Sequence, residues 1–195
     1  MKQNLKELVG NDLVDLKQAA LESNWQRKGY LAKLYTKEEQ DLILNAVAPF
    51  SMLWLLWTMK EASYKIVNRL TGIRSYNPLD FTCNNLVTNN IETTGRVNYK
   101  GDELVTHSDI SDRLIHSIAV SSGKDKKKLN LYYAENTADY IQKFNSAFPH
   151  YYLHRSASGL PEMTCLHTGK RHAISISHHG KYLAIIYSDS LLLID

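Results

Sequence analysis

An amphipathic helix pattern from about Phe50 to Leu70 constrains the fold more than any other stretch of this chain. Lys60, Glu61 and Lys65 fall off its apolar face. Glu61 and Lys65 are four residues apart, so they stack on one side of the helix. They could form an ordinary surface ion pair, or they could serve a metal and a phosphate. The apolar residues recur at steps of three and four, as one face of a helix requires: Met52, Leu55, Leu56, Met59, Ala62 and Ile66.

Size and composition predict a soluble protein of one domain or of two small, closely packed halves, and we expect a single domain that spans residues 1–195. Hydrophobic residues make up 44% of the chain and charged residues 22%, which is typical of a globular protein with a sizeable core. The net charge is +3 and no long run of one sign occurs, so we expect no nucleic-acid partner. The apolar stretch Ala48 to Met59 is too short to span a bilayer, and the N-terminus has no signal-like run. The two isolated cysteines suggest no disulfide framework, so we expect a cytoplasmic protein.

The segments before the long helix predict a strand followed by short helices. Leu8 to Leu16 favours a strand that carries Asp12 and Asp15. A strand aspartate either has a partner for its charge or lies at a strand end, and the sequence leaves both interpretations open. Thr36-Lys37-Glu38-Glu39 is a capping box, in which the threonine hydroxyl and the second glutamate satisfy backbone N–H groups at a helix start.

After the long helix the sequence favours strands. The stretch from about residue 80 to 155 is rich in β-favouring runs, and its lysine-rich residues 122–128 predict a hairpin tip. Two further strands, Ala173 to Ser177 and Tyr182 to Ser188, close the chain. We therefore expect an α+β fold with antiparallel strands packed on the long helix and no internal repeat.

Four motifs occur in a particular order along the chain. Together they resemble the 4'-phosphopantetheinyl transferase superfamily, whose pattern is a Gly-x-Asp strand, a Trp-x-x-Lys-Glu-Ala-x-x-Lys helix, a Gly-x-Pro turn and a Ser-His segment. The order, with the Asp strand first and Ser-His last, is similar to that of the holo-acyl-carrier-protein synthase type. The motifs in this chain are Gly10-Asn11-Asp12, Trp57 through Lys65, Gly159-Leu160-Pro161 and Ser177-His178.

The resemblance implies a reaction and a set of site residues. The reaction is Mg²⁺-dependent transfer of 4'-phosphopantetheine from coenzyme A to a serine of a carrier protein, with release of 3',5'-ADP. Asp12 and Glu61 would be the magnesium ligands and, with Lys65, the catalytic residues. The residues that would bind coenzyme A are Lys60, Lys65, Gly159, Pro161, Ser177 and His178.

The resemblance also implies an acyl or peptidyl carrier protein as partner, with fatty acid, polyketide and peptide synthesis all open, and a possible homotrimer. Position 14 is Val, so the second acid of the larger two-repeat enzymes is absent. One alternative is a non-catalytic member of the same fold that binds coenzyme A or a carrier. Another is an unrelated α+β protein in which Lys60 through Lys65 is an ordinary helix surface.

Overall fold

The computed structural model describes residues 8–89, 92–121 and 129–188. The first part, which we call the first unit, ends at residue 121 and contains one five-stranded antiparallel sheet. Its strand order is β1-β5-β4-β3-β2, so β1 lies at the edge. The elements in chain order are β1 (Val9–Asp15), α1 (Leu16–Glu22), α2 (Tyr30–Leu34), α3 (Lys37–Leu44), α4 (Pro49–Thr71), β2 (Phe81–Thr88), β3 (Thr93–Tyr99), β4 (Asp102–Ile110) and β5 (Leu114–Ser121).

Helix α4 is the predicted long helix, and it packs across this sheet. Pro49 occupies its first turn, where a missing N–H costs nothing, and Gly72 ends it with a φ of 69°. The predicted apolar stripe is confirmed, because five of its six members are buried and Met52 is partly buried against the same core. The buried members are Leu55, Leu56, Met59, Ala62 and Ile66. The capping box at the start of α3 is confirmed as well.

The second unit, residues 129–188, contains another five-stranded antiparallel sheet. Its strand order is β6-β10-β9-β8-β7. Its core lies under the short helix α5 and is centred on Phe144, Leu153 and Met163. The elements are β6 (Leu129–Glu135), α5 (Tyr140–Ala147), β7 (Tyr151–Arg155), β8 (Pro161–Cys165), β9 (Arg171–His179) and β10 (Tyr182–Ser188).

The two units have the same topology, so the prediction of no internal repeat is wrong. In each unit a strand leads through helix to a four-stranded meander, whose last strand pairs with the first strand of the unit. The sequence hides this repeat because the corresponding helices differ in length, at 23 residues for α4 and 8 for α5. The α+β class and the packing of antiparallel strands on the long helix are confirmed.

The units pack against each other where β1 lies against β9 and β10. Val9, Ile118 and Val120 from the first unit meet Ile186 from the second in one apolar cluster. The β-rich stretch of about 80–155 therefore completes the first sheet and begins the second. The predicted hairpin tip at 122–128 lies outside the described residues. In the described part of the chain, no helix combines the length and apolar character needed to cross a membrane.

Candidate active site

The first two motifs meet because β1 and α4 approach each other closely at Gly10. A Cβ atom built at Gly10 would overlap the backbone carbonyl oxygen of Ala62, so a larger residue would force the strand and helix apart. Side chains two residues apart on a strand share a face, so Asp12 also points towards α4. The glycine thus allows the carboxylate of Asp12 to reach the helix turn that carries Glu61 and Lys65.

Asp12 and Glu61 line one crevice of about 340 Å³, together with Tyr30, Trp54 and Trp57. Burial, and to a lesser extent the nearby Asp12 carboxylate, raise the pKa of Glu61 to about 7, although Lys65 acts to lower it. Two acidic groups that disfavour each other's charge are an arrangement that a cation would stabilise.

Lys65 crosses from the helix to the strand. Its Nζ atom donates to Asp12 Oδ1 at 3.0 Å and to the carbonyl oxygen of Asn11 at 2.7 Å. Its ion-pair partner is therefore Asp12 on β1, instead of Glu61 one turn away on its own helix. This contact ties α4 to β1 at the point where the crevice begins.

The second unit contacts Asp12 through Ser177. The Ser177 hydroxyl accepts a hydrogen bond from the Leu13 N–H at 3.0 Å and donates one to Asp12 Oδ1 at 2.8 Å. His178 and His179 line the same crevice from β9. The resemblance assigned Ser177 to a phosphate group, but the structure places its hydroxyl on the carboxylate of Asp12.

A cationic pocket of about 140 Å³ adjoins the carboxylate crevice. His178 lines both the pocket and the crevice. The pocket also contains Lys65, Arg69 and Arg155, and Pro161 forms part of its wall. Three cationic side chains around one small cavity favour an anionic ligand.

The turn at Gly159 is held by arginines. Gly159 has a φ of 80°, which glycine adopts without strain, and its carbonyl oxygen accepts from Arg155 at 3.1 Å. Arg69 donates to the carbonyl oxygens of Pro161 at 2.7 Å and Ile174 at 2.9 Å. Gly159 thus shapes the turn whose neighbour Pro161 lines the pocket.

The sequence analysis missed Arg69 and Arg155. Arg69 follows Lys65 by four residues on α4, and that helical spacing alone could have placed both cations on one face. Arg155 lies in the second unit, and nothing in its local sequence indicates that β7 reaches the pocket.

Lys60 requires a correction. It is fully buried, and its Nζ atom donates to Glu39 Oε2 at 2.7 Å and to the carbonyl oxygens of Leu34 and Pro78. All three ammonium protons are therefore used inside the protein, so the expectation that Lys60 contacts a phosphate is wrong. The apolar stripe suggested an outward position because it did not reveal that α3 covers this side of the helix.

Asp15 lies at the end of β1 and caps α1. Its Oδ1 atom accepts from the backbone N–H groups of Lys17 at 3.0 Å and Gln18 at 3.2 Å. For Asp15 the interpretation as a strand-end acid therefore holds, whereas Asp12 has the charged partner Lys65.

Asp12 and Glu61 fit a hard divalent cation. Across the described ranges, no group of three or more His, Cys, Asp or Glu side chains is arranged to hold a metal. Mg²⁺ needs no such group, because it commonly binds one or two carboxylates and keeps several waters. Lys65 pairs with Asp12 Oδ1, yet burial and the Asp12 carboxylate keep the pKa of Glu61 raised, so a further positive charge beside Glu61 would favour its ionised form.

Comparison with known proteins supports the interpretation of the motifs. A family model described as the 4'-phosphopantetheinyl transferase superfamily matches residues 8–120. The matched range corresponds to the first unit and includes Asp12, Glu61 and Lys65. No curated protein matches the chain.

Proposed function

Since this chain belongs to the 4'-phosphopantetheinyl transferase superfamily, we propose that it transfers 4'-phosphopantetheine from coenzyme A to a serine of an acyl or peptidyl carrier protein. The transfer depends on Mg²⁺ and releases 3',5'-ADP. One observation carries this proposal: a pocket lined by cationic side chains and a crevice with two carboxylates share His178 in their walls. The donor is an anionic nucleotide and the reaction occurs at its pyrophosphate. The cationic pocket is therefore suited to the phosphates of the nucleotide, and the carboxylate crevice to the reacting pyrophosphate.

The cationic pocket binds the phosphates of the nucleotide. Lys65, Arg69 and Arg155 supply positive charge there, and His178 marks the boundary with the carboxylates. Pro161 and the turn at Gly159 shape the far wall near the nucleotide. Lys65 also keeps Asp12 in place, so one side chain serves both the pocket and the crevice.

The reaction occurs at the carboxylate crevice. Asp12 and Glu61 would hold a magnesium ion, which when bound supplies positive charge beside the pyrophosphate. The carrier serine oxygen bonds to the β-phosphorus, and the bond from that phosphorus to the bridging oxygen breaks, so 3',5'-ADP leaves with that oxygen. We assign the serine proton to the carboxylate of Glu61, which lies with Asp12 in this crevice.

The site residues all come from one chain. Asp12, Glu61 and Lys65 lie in the first unit, and Ser177 and His178 lie in the second. A second copy is therefore not needed to supply the Ser-His segment, and a homotrimer, if it forms, has another role. The carrier type and a cytoplasmic location stay predictions.

Intact-mass measurement of apo carrier proteins tests the proposal. We expect a carrier incubated with this protein, coenzyme A and Mg²⁺ to gain one phosphopantetheine arm. Asp12→Asn and Glu61→Gln should abolish the gain, whereas Glu38→Gln, which changes an exposed acid on α3, should not. Coenzyme A binding without transfer to any carrier in a broad panel would instead indicate a binding protein.

A further inference from the structure

Strand β1 has a free edge that β9 covers with side chains. β1 pairs with β5 on one side alone, so the N–H groups of Asn11, Leu13 and Asp15 point away from the sheet. Unpaired strand edges need partners when they are buried. Here the partners are alternate side chains of β9, which accept hydrogen bonds from these N–H groups. Ser175 Oγ accepts from Asn11 at 2.9 Å, Ser177 Oγ from Leu13 at 3.0 Å, and His179 Nδ1 from Asp15 at 3.1 Å.

Ser177 differs from the other two members of this row. A serine hydroxyl can accept and donate at the same time, and the backbone N–H of Leu13 can act as a donor alone. The Ser177 proton is therefore free to bond Asp12 Oδ1 at 2.8 Å. Ser175 seals the edge in the same way but makes no contact with the carboxylate, which makes it a natural control.

Both donors on the Asp12 carboxylate bond the same oxygen. Lys65 Nζ reaches Oδ1 at 3.0 Å from the helix side, and Ser177 Oγ reaches it from β9. Two charge-assisted hydrogen bonds from different directions fix the plane of the carboxylate. Neither of these donors bonds the other oxygen, Oδ2, and Asp12 lines the crevice that it shares with Glu61.

We propose that Ser177 is a positioning residue that orients Asp12 so that Oδ2 is presented to the divalent cation. This inference rests on the proposed function, since it concerns the cation that Asp12 and Glu61 would hold. It assigns to the second unit a part in cation binding, although the carboxylates come from the first. It also replaces the phosphate contact that the family resemblance implied for Ser177.

Titration of the coenzyme A-free protein with Mg²⁺ or Mn²⁺ by calorimetry tests this role. Loss of a group that orients a metal ligand typically weakens metal binding by about 10–100-fold, so we expect this loss in Ser177→Ala. Ser175→Ala, which opens the same strand edge, should keep the wild-type cation affinity. Thr and Val have nearly the same shape, so Ser177→Thr should retain cation binding while Ser177→Val loses it, even if the alanine variant folds poorly.

A kinetic measurement separates this role from a phosphate contact. We expect saturating Mg²⁺ to restore most of the transfer rate of Ser177→Ala, with the affinity for coenzyme A in the absence of metal unchanged. Weaker metal-free binding of coenzyme A with normal cation affinity would overturn the inference but leave the transferase proposal intact. Equal cation affinity in the wild type and Ser177→Ala would also overturn the inference about Ser177 and leave the transferase proposal intact. Absence of cation binding by the wild type would overturn both this inference and the magnesium assignment.

Discussion

At the scale of single residues, Glu61 has the most unusual environment in the crevice. A carboxylate that is largely buried and close to Asp12 holds its proton more tightly than an exposed one. The pKa rises from 4.5 to about 7. In the metal-free protein, Glu61 is therefore protonated at pH values where the unfolded chain has already lost this proton.

This shift predicts how the stability of the metal-free protein depends on pH. The stabilising contribution of protonated Glu61 is complete below about pH 4.5 and is lost as the pH rises to about 7, because the native state binds more protons in that window. Glu61→Gln cannot titrate, so its free energy of unfolding should fall less between these pH values. Urea denaturation at a series of pH values, with chelator present, measures the difference.

The effect of Mg²⁺ on thermal stability tests the same carboxylate at a higher pH. At pH 8 added Mg²⁺ should raise the melting temperature of the wild type, because a ligand that binds the native state stabilises it. Glu61→Gln should show a smaller rise. If the free energy of unfolding of the wild type and of Glu61→Gln changed equally with pH, the assignment of the pKa shift to Glu61 would be contradicted.

At the scale of secondary-structure elements, α4 uses different parts of its circumference for different tasks. One face packs on the first sheet, Glu61 and Lys65 face β1, and Lys60 faces α3. The carboxylate of Glu39 forms an ion pair with Lys60 Nζ and also accepts a hydrogen bond from the Cys83 N–H at 2.7 Å. The buried pair therefore joins α3, α4 and β2, and the capping box provides the acid.

We expect Lys60→Met to destabilise the protein strongly. Removing one partner of a buried ion pair leaves the other charge uncompensated, which costs about 3–5 kcal/mol. Lys37→Met is the control, because its pair with Asp41 on α3 is exposed and such pairs contribute about 0.3–0.5 kcal/mol. Chemical denaturation measures both changes.

A double variant tests the cause of that loss. Glu39→Gln removes the unpaired charge, so Lys60→Met combined with Glu39→Gln should be less destabilised than the sum of the two single changes. Strict additivity would mean that the loss comes from packing of the lysine stem instead of from the charge.

At the scale of the whole molecule, the site lies between two units of the same chain. Arg69 on α4 in the first unit donates to the backbone carbonyl oxygens of Pro161 and Ile174 in the second unit. β1 is sealed by β9 across the same boundary. The geometry of the site therefore depends on how the units pack.

This arrangement predicts that the transfer rate per chain does not change on dilution. A site shared between subunits loses activity when the oligomer dissociates, whereas a site within one chain does not. Rates measured over a wide range of protein concentration, with light scattering to follow the oligomeric state, make the test. A rate per chain that falls as an oligomer dissociates would show that a second copy contributes to the site.

The sequence by itself determined the elements whose signals are local. The spacing of apolar residues on α4 and the capping box on α3 predicted these helices, because such signals act within a few residues. The resemblance of the Gly-x-Asp and Glu-Ala-x-x-Lys motifs to the family pattern made Asp12, Glu61 and Lys65 candidates, and helical spacing predicted that Glu61 and Lys65 share one side of α4. Gly10 has no side chain, so the strand and the helix can meet.

What the tertiary structure decided are the contacts between residues far apart in the chain. Ser177 lies 165 positions from Asp12, and no local pattern reveals that its hydroxyl reaches the carboxylate. Lys60 is buried because α3 covers it, and Arg155 reaches the pocket because the second unit packs on β1. The repeat of topology was also invisible in the sequence, since many sequences satisfy one strand order. Hydrophobic spacing specifies which face of an element is buried, but the neighbour that covers this face is set by packing of the whole chain.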